Sequence, residues 1–194
     1  RINVCTYQSV SGAGKEAMDE LAKQCADLLS GKPIETKNFS RQIAFNVIPQ
    51  IDVFQDNGYT KEEMKMVWET KKILGDDNIR VNPTAVRVPV FFGHAEAIHI
   101  ETRDQISAEE VKELLKQAEG VVVCEKDEDF PTQIGDASGK DETFVGRIRE
   151  DISHNNGINM WVVADNVRKG AATNSIQIAE LLVKEHLSEY LRNF

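Results

Sequence analysis

The chain has 194 residues, 41% of them hydrophobic and 28% charged, with a net charge of -9. That composition excludes a disordered chain and suits one ordinary domain with a core of its own. No apolar run approaches the roughly 20 residues of a membrane span, no signal-peptide pattern is visible, and the basic residues are too scattered among acids to collect a nucleic acid.

Residues Ile2 to Val10 read as a strand that begins without leader residues, which suggests a piece of a longer protein. Ser11-Gly12-Ala13-Gly14 then turns into a helix whose apolar face is Met18, Leu21, Cys25 and Leu28 or Leu29, ending at Gly31 and Pro33. Gly12-x-Gly14-x-x-Ala17 formally fits the dinucleotide fingerprint, yet no second parallel strand with a ribose-binding acid follows. A glycine-rich helix entry packed closely on a neighbour explains the same residues. As a Walker motif the stretch fails, because Ser9 stands where the first glycine belongs and Glu16 follows Lys15.

Phe39 to Pro49, with Ile43, Phe45 and Val47 alternating, reads as a strand. Thr60-x-x-Glu63 is a capping box, and the helix behind it, to about Leu74, sets Met64, Val67, Trp68 and Ile73 toward the core. Glu69 and Lys72 lie three apart on that helix and project from one side. Val86 to Gly93 and Ala95 to Glu101 read as the arms of a hairpin. Arg87 sits within the apolar first arm, where a cation must reach water or meet an anion, and a bound carboxylate would suit its planar fork. His94 follows the turn at Gly93. His99, His154 and His186 carry no comparable context.

Ser107-x-x-Glu110 caps a further helix with Val111, Leu114 and Leu115 inward, and Val121 to Cys124 is a buried strand. Lys126 to Thr143 is a polar surface loop. Phe144 to Ile152 and Ile158 to Ala164 pair about the Asn155-Asn156-Gly157 turn. A last helix, from about Ser175, shows Ile178, Leu181, Leu182, Leu187 and Leu191 on one side. Cys5, Cys25 and Cys124 lack metal or redox spacing and suggest reduced thiols in the cytoplasm. These elements predict an α+β domain with a mixed, largely antiparallel sheet, helices on one face, and a second subunit over the other.

Thr6-Tyr7-Gln8-Ser9-Val10-Ser11-Gly12-Ala13-Gly14, Glu69-Thr70-Lys71-Lys72-Ile73-Leu74, Arg87-Val88-Pro89-Val90 with Gly93-His94, and Ala164-Asp165-Asn166-x-x-x-Gly170-Ala171-Ala172 together resemble the aspartate-semialdehyde dehydrogenase family. The resemblance implies the carboxy-terminal portion of such an enzyme, with the glyceraldehyde-3-phosphate-dehydrogenase-like fold. It divides into a catalytic and dimerisation domain at 1-164 and a segment at 165-194 that packs on an NADP-binding domain. It implies NADP-dependent reduction of L-4-aspartyl phosphate to aspartate semialdehyde and phosphate, toward lysine, threonine and methionine, by a homodimer or tetramer.

The roles it implies are Gln8 beside the reacting carbonyl, Glu69 and Arg87 on the substrate, and Lys72 on its phosphate. His94 is the acid/base that takes a proton from a thiol, and Ser11, Gly12 and Asn166 are cofactor contacts. The family's nucleophilic cysteine lies upstream of the T-Y-Q segment and has no counterpart here, so the chain alone is expected to be inactive. A non-catalytic dimerisation module, a free-standing dinucleotide binder using Gly12 and Gly14, and a relative of N-acetylglutamyl-phosphate reductase are the competing readings.

Overall fold

The computed structural model describes residues 1-126 and 128-187. Its frame is a six-stranded sheet in the order β2-β1-β3-β6-β5-β4. The strands are β1 (Ile2–Gln8), β2 (Val81–Arg87), β3 (His94–Glu101), β4 (Val121–Val123), β5 (Thr143–Glu150) and β6 (Gly157–Ala164). The three inner pairings are antiparallel, and the outer pairs β1/β2 and β4/β5 are parallel. The fold is therefore α+β, with a mixed, largely antiparallel sheet, as the sequence predicts.

The helices are α1 (Lys15–Leu29), α2 (Lys61–Leu74), α3 (Ala108–Lys116) and α4 (Thr173–Leu182). Both predicted capping boxes form, at Thr60/Glu63 and Ser107/Glu110, each closing two free amide groups at a helix start. The inward face of α3 meets Val145, Ile148, Ile158, Met160 and Val162. Val145 and Ile148 are three apart, so a regular strand would turn them to opposite faces. A bulge between Gly146 and Arg149, with Arg147 at φ 54°, brings both under α3.

Three expectations are corrected. The Val86 to Glu101 hairpin does not form: β1 lies between β2 and β3, and residues 88-93 cross its end, with Val88 N donating to the Gln8 carbonyl and Val10 N to that of Val90. Phe39 to Pro49 is no strand: its one pairing is an isolated antiparallel bridge between Ile48 and Arg87 of β2, and amides before it are bonded to helix side chains. Glu20 of α1 accepts from the Lys37 and Asn38 amides, and Gln24 from those of Ile43 and Ala44. Phe45 sits at φ 57° with its side chain in solvent, while Ile43, Ala44 and Ile48 join Val10 and Leu21 in a satellite core.

The third concerns helix faces. Trp68, Ile73, Leu114 and Leu29 are exposed, so the buried stripes are narrower than the periodicity predicts. On the last helix Ile178, Leu181, Leu182 and Leu187 are also about half exposed, and Leu191 lies outside the described residues.

The sheet face away from α3 carries Tyr7, Ala95, Phe144, Trp161 and Val163. Part of it is covered by the 131-138 segment, through Trp161 Nε1 donating to the Pro131 carbonyl and Ala137 packing on Ala95 and Val163. Beyond that cover the face opens into a cavity of about 350 Å³ lined by Ala97, Phe130, Arg147, Arg149, Met160 and Trp161.

Candidate active site

The register assembles the site. Gln8 pairs with Arg87 across the parallel β1/β2 ladder. One step beyond the Tyr7↔Ala95 pair of the antiparallel β1/β3 ladder, Gln8 stands opposite His94. Arg87, Gln8 and His94 thus occupy one cross-strand row on one face, with neighbouring strands about 4.8 Å apart. The convergence expected of Arg87 and His94 is present, but it comes from two strands flanking a third rather than from a turn.

Arg87 is 6% exposed and Gln8 7%. The Arg87 guanidinium donates from Nη1 to the Ser9 carbonyl at 2.6 Å and makes no salt bridge among the described residues. Burial pulls its pKa down and the Glu62 carboxylate pulls it back up, but a guanidinium stays charged in either case. Arg87 lines a cavity of about 240 Å³ together with Ala13, Ser40, Ile48, Gln50 and Asp52. A half-satisfied buried cation on a cavity is an anion site by chemistry.

Gln8 Nε2 donates to Glu62 Oε1 at 3.2 Å, and Glu62 Oε2 accepts from Lys65 Nζ at 3.1 Å. That hydrogen bond is the main reason the Lys65 ammonium is held above its usual pKa. Glu62 therefore reaches the row, with Lys65 held behind it, and the sequence-predicted Glu69 and Lys72 do not. Glu69 and Lys72 are exposed, seven residues farther on, about two turns along the same helix. The chain repeats Glu-x-x-Lys at 62/65 and 69/72, so both pairs share one helix face. Only tertiary contact tells them apart, and the first pair lies at the N-terminal end that meets Gln8.

Ser11, Gly12 and Asn166 close the row on its other side. Asn166 Oδ1 accepts from the Gly93 amide at 2.9 Å and from Ser9 Oγ at 3.1 Å, and its Nδ2 donates to Ser11 Oγ at 3.0 Å. A Cβ at Gly12 would lie 3.1 Å from Arg87 Nη1 and 3.4 Å from His94 Nε2, so a larger residue there would push the Arg87 side chain back by a few tenths of an ångström. Gly93, at φ 84°, turns the chain into His94, and a Cβ there would press to 3.0 Å on the Gln133 carbonyl oxygen. The three cysteines lie elsewhere: Cys5 lines a cavity on the opposite face, Cys25 packs on the satellite core and Cys124 lies beside Gly146.

Burial is the main cause that lowers the His94 pKa from 6.5 to about 4, with Arg87 adding to it and Gly93, Glu62 and Asp165 opposing it. The unfolded ring binds a proton near pH 6.5 and the folded ring only near 4, so folding stability falls as pH drops through that window. The loss should approach about 3 kcal/mol at the lower end. Denaturant titrations of the chain and of His94→Gln from pH 7 to 4 should show the difference between the two closing over that range. A difference that does not change with pH would contradict the buried neutral ring.

The six-stranded mixed sheet thus ends in a guanidinium, a carboxamide and an imidazole in one row, with the Glu62 carboxylate and its Lys65 partner beside them. Residues 1–169 match the family described as semialdehyde dehydrogenase, dimerisation domain, and the chain belongs to that family.

Aspartate-semialdehyde dehydrogenase 2 of Vibrio cholerae is 68% identical over 186 residues, covering 96% of this chain and 55% of that protein. The corresponding protein of Aquifex aeolicus is 54% identical over 96% of this chain and 56% of its own length. The Vibrio cholerae crystal structure described as complexed with ASA superposes with a TM-score of 0.93 at 68% identity, covering 96% of this chain and 55% of that one. An aspartate semialdehyde dehydrogenase with NADP from Candida albicans gives 0.66 at 28% identity, covering 93% and 49%. The chain spans about half the length of the relatives it matches.

Proposed function

We propose that this chain is the substrate-recognising and dimerising half of an NADP-dependent aspartate-semialdehyde dehydrogenase, which converts L-4-aspartyl phosphate to aspartate semialdehyde and phosphate. The observation that carries the reading is Arg87, a buried guanidinium with one hydrogen bond and no salt bridge among the described residues, beside a cavity and in register with Gln8 and His94.

The substrate is itself a carboxylate, an ammonium and a phosphoryl group around a reacting carbonyl. Arg87 takes the α-carboxylate through its fork, and Glu62 takes the α-ammonium. Lys65, three residues along α2, takes the phosphoryl group. Three such charges fix one orientation and turn the carbonyl toward Gln8 and His94. His94 holds and moves the proton as acid/base. Taking Glu62 and Lys65 for these roles replaces Glu69 and Lys72, which stand in solvent.

NADP supplies the hydride when bound. The residues expected to meet it fit a flat ring: Gly12 leaves bare backbone beside His94, and Asn166 Nδ2, with one hydrogen bond among the described residues, keeps a donor for a carboxamide. The nucleophilic cysteine and the rest of the cofactor site belong to the part of the relatives that this chain does not span, so the chain alone is inactive. The exposed stripe of Ile178, Leu181 and Leu182 packs there, with residues 165-194 as the connecting segment. The open sheet face around Ala97 and Trp161 pairs with a second copy to form the dimer, in the cytoplasm.

Calorimetric titration of the chain with a phosphonate analogue of L-4-aspartyl phosphate tests this reading. Saturable binding that fails in Arg87→Met supports it. Binding that is absent, or insensitive to Arg87, favours the non-catalytic dimerisation module.

A further inference from the structure

His94 carries a second piece of information, in the contacts of its other nitrogen. Nδ1 lies 3.2 Å from the backbone N of Ser9, which donates to it, and 3.1 Å from Ser9 Oγ. A hydroxyl can turn to donate or accept, but a backbone N–H can only donate. Nδ1 must therefore present its lone pair, and the single proton of the neutral ring must sit on Nε2.

Other groups around Nδ1 compete with that donor. Two acceptors could favour a proton on Nδ1: the Gly93 carbonyl, which already accepts Gln133 Nε2 at 2.6 Å, and Ser9 Oγ. That hydroxyl gives its one proton to Asn166 Oδ1, at 3.1 Å, which leaves the Ser9 backbone N–H as the donor that faces Nδ1. The carboxamide is oriented by the same logic, since the Gly93 amide can only donate to Asn166 Oδ1. A second ring proton would put an N⁺–H against the Ser9 N–H, with the Arg87 charge close by. Glu62 and Asp165 are the carboxylates that act on the ring in the opposite sense. Ser9 is fully buried, so water does not compete for these contacts. Nε2 lies on the Gly12 and Arg87 side and has no hydrogen-bond partner among the described residues.

We propose that Ser9 is a positioning residue: its backbone N–H holds His94 in the single tautomer with the proton on Nε2, so the resting site offers its ligand an N–H rather than a lone pair. This rests on the proposed reading of His94 as the acid/base and adds which edge of the ring begins as the donor. An N–H aimed at a carbonyl oxygen stabilises the negative charge that gathers there when the carbon is attacked. In this tautomer the free edge of the ring is a hydrogen-bond donor, and the lone pair of the neutral ring at Nδ1 faces the Ser9 amide instead.

Nitrogen-15 NMR of the 194-residue chain with labelled histidine reads this directly. His94 is assigned by loss of its signals in His94→Gln, or by a chain in which His99, His154 and His186 are each replaced by Gln. The expected spectrum at pH 7 has Nδ1 fully pyridine-like and Nε2 fully pyrrole-like, against the averaged pair of a freely exchanging ring at His154. Ser9→Ala keeps the backbone donor and should leave the His94 signature in place. Ser9→Pro suits the Ser9 φ of -66° but removes that donor, and should collapse the splitting toward the averaged value.

An averaged or inverted signature in the unsubstituted chain overturns the proposal, as does a folded Ser9→Pro whose splitting is unmoved. If Ser9→Pro does not fold, the unsubstituted spectrum decides. Analogue binding with an inverted tautomer would sink this inference and leave the functional reading standing; failure of binding with the expected tautomer would do the reverse.

Discussion

Arg87→Met should leave the chain as stable as before, or slightly more stable, while lowering kcat/KM of the reassembled enzyme by about 10² to 10³-fold. The two halves of that expectation come from one fact. Arg87 is buried with a single carbonyl acceptor and no salt bridge among the described residues, so the fold bears its desolvation without an ion pair in return. Replacing a buried charge by an apolar chain of similar length is often neutral or stabilising. The substrate carboxylate, by contrast, loses its charge-assisted partner, and removing one side of such a pair costs about 2 to 5 kcal/mol. The carboxylate does not change during the reaction, so the loss should fall mainly on KM. A denaturation curve and a saturation curve on the same variant check both parts. A variant that unfolds but, where folded, binds substrate normally would contradict the assignment.

The second large effect separates two glutamates seven residues apart. Glu62→Gln should cost about 10²-fold in kcat/KM, because it removes the carboxylate that meets Gln8 and is placed to receive the ammonium. Glu69→Gln should change little, since its carboxylate is exposed and surface charges contribute about 1 kcal/mol or less. Steady-state kinetics on the pair decide the matter. Equal losses, or a loss only at Glu69, would restore the assignment read from the motif.

That contrast shows where the sequence is readable and where it is not. Capping boxes are local chemistry, and both were legible at Thr60 and Ser107 because four consecutive residues determine them. The two antiparallel strands about Asn155-Asn156-Gly157 were legible for the same reason. The strand order was not: Arg87 and His94 lie on either side of β1, and no local pattern says that a strand from the start of the chain enters between them. Ile43, Phe45 and Val47 alternate as a strand would, but Gln24 takes the amides of Ile43 and Ala44 across a distance in sequence that periodicity does not see.

The site residues divide similarly. Gln8, Arg87 and His94 stand in short, distinctive contexts and fall into one row. Glu62 and Lys65, the pair the proposed reading uses, are not singled out by the sequence because Glu-x-x-Lys occurs twice on α2 with the spacing that keeps both copies on one face. The available signal was position: the first copy overlaps the capping box, at the helix end that docks on β2 through Glu63 Oε1 and the Ala85 amide at 3.0 Å. Ser9 had no signal of its own, since its effect on His94 runs mainly through a backbone N–H that any residue except proline supplies.

The most direct test of the central claim is reassembly. This chain is mixed with the separately expressed preceding portion of a relative such as the Vibrio cholerae protein, and NADP reduction is followed with aspartate semialdehyde and phosphate. The account predicts activity that needs both parts and phosphate and disappears with Arg87→Met. A complex of two folded parts that shows no turnover would contradict it, as would turnover by this chain alone.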